Sequence, residues 1–133
     1  MNSTGPGNYR FYRQHLQRVS RSFAFCIDRL QGPLKPWVGL SYLVCRILDT
    51  IEDAHWGRRS REQLVCFKRF DQFLMTPPSK EEVVQWSATF PSGVASDEQQ
   101  LLRQSHKIFN DFHGFPDNVK AIIQSTVLSM SAG

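Results

Sequence analysis

An all-α helical bundle is the fold this sequence predicts, and three observations carry it. Apolar residues recur at three- and four-residue intervals through most of the 133 positions. Breaks rich in Gly and Pro near positions 32, 57, 77, 92 and 115 cut the chain into helix-length pieces, enough for six or seven helices. Strand signals are scarce, with no Asn-Gly hairpin dipeptide and no sustained alternation. At 41% apolar and 21% charged residues the composition is that of one globular domain.

Residues 1–8, rich in Gly, Pro, Ser and Asn, read as a flexible lead-in to a helical part spanning 9–133. Tyr9, Phe11, Tyr12, Leu16 and Val19 alternate with Arg10, Arg13 and Arg18 at helical spacing. Ser20 suits the cap of a second helix, Ser22 to Leu30, closed by Gly32 and Pro33. Pro36 opens a long helix that reaches Trp56 and stops at Gly57. Ser60 starts another, with Leu64, Val65, Phe67, Phe70, Phe73 and Leu74 along one face, broken by "TPPS" at 76–79. Ser79 followed by Glu82 is a capping box. After the loop "SATFPSGVASD", Ser96 and Asp97 begin a helix through Phe112, and a last helix occupies 117–133.

Charge is divided unevenly. Residues 1–48 carry seven Lys/Arg and one acid, Asp28, whereas 49–133 carry nine and eleven. A basic first third suits an anionic ligand, a membrane surface or nucleic acid, and a solvated arginine-rich surface accounts for it equally. Cys26, Cys45 and Cys66 are odd in number and widely spaced, which argues for buried thiols in a reducing compartment. No run of about 18 apolar residues is present, and "MNSTGPGNYRFYRQ" lacks an apolar signal core. Cytoplasm is the expected location. Arg58, Arg59 and Arg61 form a basic turn open to lipid headgroups or simply to water, and His106 and His113 lack partners for zinc.

The most informative stretch is "SYLVCRILDTIEDAHW", 41–56. Asp49, Glu52 and Asp53 stand at i, i+3 and i+4, so they share one helical face, with Arg46 three residues before and Tyr42 a turn further back. Such a cluster must be relieved of mutual repulsion by solvent, an arginine or a bound cation. Two carboxylates one turn apart suit Mg2+, which keeps several waters and completes its shell with phosphate oxygens. Because the acids follow a strongly apolar helix body, they are expected to face inward. Upstream, "QRVSRSFAF" places Ser20, Arg21 and Ser22 at a helix start, where free N–H groups and a guanidinium fork favour phosphate.

Together, "SRSFAF" (20–25) and "YLVCRILDTIED" (42–53), with 27 residues from Ser22 to Asp49, resemble the squalene and phytoene synthases, and "FNDFHGFP" (109–116) and "VLSMSAG" (127–133) extend the likeness. The "LDTIED" form is nearer the squalene branch. The resemblance implies an isoprenoid-synthase-like bundle in which Mg2+ draws diphosphate off one farnesyl diphosphate and a second attacks the allylic cation. A cyclopropyl diphosphate results, which squalene synthases rearrange and reduce with NADPH; phytoene or dehydrosqualene synthases share the first half-reaction. By position, Asp49 and Asp53 hold Mg2+ with Glu52 assisting, Ser20, Arg21, Ser22 and Arg46 meet diphosphate, and Phe23 and Tyr42 line the cavity. The family's second aspartate motif does not occur after residue 53, so the expectation is the N-terminal part of a larger bundle. A non-catalytic relative serving assembly is disfavoured by the intact acids, and a nucleic-acid module by the repulsion those acids would exert on phosphate.

Overall fold

The computed structural model describes residues 6–132, with side chains from 9 to 131. The described residues form eight helices and no strands: α1 Pro6–Val19, α2 Arg21–Asp28, α3 Leu34–Asp53, α4 Ser60–Met75, α5 Lys80–Ala88, α6 Ser96–Arg103, α7 Ser105–His113 and α8 Asp117–Ala132. Helix α3 touches α1, α2, α4, α6, α7 and α8 and is the axis of the bundle. Its buried side is supplied by Leu40, Leu43, Val44, Ile47, Leu48 and Ile51, all fully enclosed. Each such side chain contributes about 1.5–3 kcal/mol of transfer free energy, which outweighs the polar residues on the other side of the same helix. Gly39 permits close packing of α1, since a Cβ there would lie 3.3 Å from Tyr9 Cε1.

A second centre is aromatic. Phe73 and Trp86 meet edge to face at 5.3 Å, and Phe70 and Phe109 do so at 6.0 Å, joining α4, α5 and α7. The indole of Trp86 donates to the Cys66 carbonyl at 3.2 Å, so its one polar atom is satisfied inside the core. Ser79 and Glu82 form the expected capping box at the start of α5.

Several boundaries differ from the sequence expectation. The helix expected from Ser96 to Phe112 is two, because polar side chains compete with its ladder near Gln104. The Ser105 hydroxyl donates to the Leu102 carbonyl at 2.7 Å, and the Gln104 carboxamide lies 2.9 Å from His15 Nε2. Helix α3 begins at Leu34, with Pro33 preceding it, and ends at Asp53; Ala54 turns extended and Trp56 folds back so that its indole donates to the Ile51 carbonyl. Helix α1 starts at Pro6, inside the expected lead-in, whose first five residues lie outside the described ones. In α4, Leu64 and Val65 are exposed while Cys66 joins Phe70, Phe73 and Leu74 inside. Ser20 precedes α2 in extended conformation but makes no side-chain cap bond. The three cysteines are free but not uniformly buried. Cys66 is enclosed, with burial pushing its thiol up to about 12, whereas Cys45 is half-buried and Cys26 exposed.

Candidate functional site

The side of α3 turned away from the core carries a stripe at three- and four-residue steps: Leu34, Val38, Tyr42, Arg46, Asp49 and Asp53. All six are exposed or half-buried, with Leu34 at 51% and Val38 at 39% exposure. The stripe is apolar at the N-terminal end and charged at the other, over about 28 Å of helix. Phe23 of α2 extends the apolar half by stacking on Tyr42, with ring centroids 4.6 Å apart and planes inclined by 30°.

Among the described residues the acids are exposed, on the side of α3 opposite the core, where an inward position was expected from the apolar helix body. Leu43, Val44, Ile47, Leu48 and Ile51 claim the core side, and the carboxylates are left on the opposite one. They do not stand on a bare surface, however. Asp49 and Asp53 line a cleft of about 240 Å³ together with Arg46, His55 and, across from α3, Gly93, Val94, Ala95 and Glu98. Glu52 is not part of that lining. Among the described residues no three His, Cys, Asp or Glu side chains converge as a metal site; the cleft sets Asp49 and Asp53 of α3 opposite Glu98 of α6. Two carboxylates one turn apart, open to solvent, nevertheless match the demand of Mg2+ for few protein oxygens plus waters and phosphate oxygens.

Electrostatics sharpen the site. Asp49, Glu52 and Asp53 occupy the end of α3, where no basic residue stands in the last turn. The C-terminal end of a helix carries partial negative charge, so an exposed acid in the last turn, here Glu52 or Asp53, costs about 0.3–1 kcal/mol. Neither Asp49 nor Asp53 receives an ion pair or a side-chain hydrogen bond from the described residues; Arg46, three residues before Asp49, pairs instead with Glu98, Nη2 to Oε2 at 3.4 Å. The helix end is held in place from behind, since the Ile51 carbonyl accepts from the Trp56 indole at 2.9 Å and from Gln63 Nε2 at 3.0 Å.

The structure brings Phe23, Tyr42, Arg46, Asp49 and Asp53 onto one face. Arg21 and Ser22 are exposed at the start of α2 and Ser20 is half-buried just before it, but none of the three lines the acidic cleft. Glu98 was not anticipated: in sequence it belongs to a helix start with adjacent acids, 52 residues from Arg46, and no local pattern joins the two. His113 is taken by the Phe73 carbonyl at 2.8 Å. On the basic turn, Arg59 pairs with Glu62 and donates to the Thr89 carbonyl, while Arg58 and Arg61 are exposed. No described helix is long and apolar enough to cross a membrane.

Residues 16–133 match the family profile of squalene/phytoene synthase. Curated relatives include a squalene synthase of Dictyostelium discoideum, 32% identical over 127 residues, covering 96% of this chain and 28% of that protein. A squalene synthase of Candida albicans is 33% identical over 119 residues, covering 89% of this chain and 24% of its own length. One from Solanum lycopersicum reaches 55% identity over 38 residues, 29% of this chain and 9% of that protein. The chain thus spans about a quarter of the first two relatives' length.

Proposed function

This chain belongs to the squalene/phytoene synthase family, and on that premise we propose that it supplies one wall of a Mg2+-dependent prenyl transferase. The enzyme condenses two farnesyl diphosphates head to head, with loss of diphosphate, towards presqualene diphosphate and squalene. One observation carries the reading: a single helix face runs from Leu34, Val38 and Tyr42 to Arg46, Asp49 and Asp53. It matches, end for end, a ligand with a greasy tail and an anionic head. The relatives named above, squalene synthases in each case, support the same substrate class.

Each group has a physical task in that reaction. Bound Mg2+ supplies Lewis-acid stabilisation of the departing diphosphate. Asp49 and Asp53 are the carboxylates that would hold it, and the negative end of α3 would add to their attraction. The Arg46 guanidinium offers a planar fork to phosphate oxygens that gain charge as the allylic C–O bond breaks. The stacked rings of Phe23 and Tyr42 present π faces to the tail and to positive charge developing in it. Arg21 and Ser22, at the start of α2, are further candidates for diphosphate contact, with Ser20 beside them and Glu52 as an outer acid.

The test is incubation of the full-length protein with farnesyl diphosphate and Mg2+, with and without NADPH, followed by analysis of released diphosphate and hydrocarbon. Squalene formed only with NADPH supports the reading; dehydrosqualene irrespective of NADPH assigns the other branch of the family. Asp49→Asn should lower diphosphate release at least about 100-fold, the scale expected when transition-state charge stabilisation is removed. A wild-type rate in Asp49→Asn would remove its role.

A further inference from the structure

We propose that Glu98 is a positioning residue that keeps Arg46 off Asp49 and so leaves the two α3 carboxylates, Asp49 and Asp53, available to a divalent cation. The inference rests on the proposed function and goes beyond it, since it assigns a task to a residue outside both sequence motifs. Arg46 and Asp49 are at i and i+3 on α3, a spacing that puts an arginine within reach of an aspartate. Here the guanidinium turns across the cleft and meets Glu98 on α6, at 3.4 Å. Glu98 is suited to hold it, because its side chain is only 17% exposed against 35% for Arg46, so the pair is less screened by water than one in open solvent. It is also carried at the opposite cleft wall by the first turns of α6, a helix that exists as a separate element because the chain breaks at Gln104.

An arginine that collapsed onto Asp49 would occupy the oxygens a cation needs and neutralise the charge that attracts it. Held by Glu98, the same guanidinium stands at the rim of the cleft, beside the carboxylates but not on them. From there it can exchange its carboxylate partner for a phosphate oxygen when an anionic ligand arrives with its cation.

The experiment is Mn2+ binding, read by electron paramagnetic resonance, to the full-length protein without substrate. Glu98→Gln is compared in two backgrounds, wild-type and Arg46→Met. Glu98→Gln alone should weaken Mn2+ binding about fivefold or more, as an opposite charge moves next to the ligand carboxylate. In the Arg46→Met background the same substitution should weaken binding clearly less, by the loss of Glu98's own cleft charge alone, because no guanidinium remains to be restrained. Equal weakening in both backgrounds would overturn the proposal, since Glu98 would then act by its own charge or as a ligand. No weakening in either would overturn it too. Thermal melts of all four proteins identify any loss that comes from unfolding. Wild-type protein that takes up no Mn2+ removes the metal-dependent reading itself and this inference with it.

Discussion

Asp111 and Asp49 are both helical aspartates on elements that pack together, α7 and α3, yet the molecule treats them in opposite ways. Asp111 is 9% exposed and accepts a hydrogen bond from the Tyr12 hydroxyl at 2.8 Å, across 99 residues of chain. That bond ties α1 to α7, and burial, with the Asp111 charge and then the bond adding to it, raises the Tyr12 phenol far above its ordinary range. Asp49 sits in solvent at the end of α3, next to further acids and with no cation from the described residues upon it. A buried carboxylate must be satisfied by the fold or the fold does not form. An exposed carboxylate at the negative end of a helix is an electrostatic cost that folding does not require. The first kind serves structure, and the second is free of any structural task, which is what the proposed cation-holding role needs.

The comparison breaks most visibly at Asp53. Asp53→Asn should reduce Mg2+-dependent turnover by about 100-fold or more, while stability stays level or rises by a few tenths of a kcal/mol as a repulsive charge leaves the helix end. Denaturant titration beside the activity assay checks both halves; a loss of stability above about 1 kcal/mol would class Asp53 with Asp111. Next in size is Tyr12→Phe, which removes a donor from a buried carboxylate and should cost about 1–3 kcal/mol. A calorimetric melt detects that loss, and Mn2+ affinity at the α3 cleft should be unmoved. The smallest effect concerns the same seam. His15 is held below its ordinary pKa chiefly by burial, with the Arg18 charge adding to this against the opposing hydrogen bond with Gln104. Below about pH 6.5 the unfolded chain therefore binds the proton more readily than the folded one, so stability is full above that value and falls as pH drops through it. His15→Gln should flatten part of the decline between pH 7 and 5 in urea titrations; an identical slope would show that other groups account for it.

Much of this was legible in the residues. Proline and glycine breaks placed most helix limits, the capping box at Ser79 and Glu82 formed as written, and the spacing of Arg46, Asp49 and Asp53 put them on one face. What escaped was non-local. The break at Gln104 contains neither Gly nor Pro, and it follows from His15 reaching in from α1 and from a Ser105 bond back to Leu102. Exposure of the acids could not be read from an apolar helix body, because apolar residues say only which side of the helix seeks the core. Glu98 reaches the cleft through the packing of α6 against α3, and no sequence spacing encodes that meeting.

The Ile51 carbonyl, shared by Trp56 and Gln63, has a consequence for the rate and selectivity of ligand capture. Helix ends ordinarily fray on fast timescales, and a frayed turn would have to re-form around each arriving ion. With a loop indole and an α4 carboxamide fastening the final turn of α3, the spacing of Asp49 and Asp53 is set before anything binds. On the proposed reading, a cation would meet carboxylates already in place, and the ordering entropy that a floppy site loses on binding would be spared.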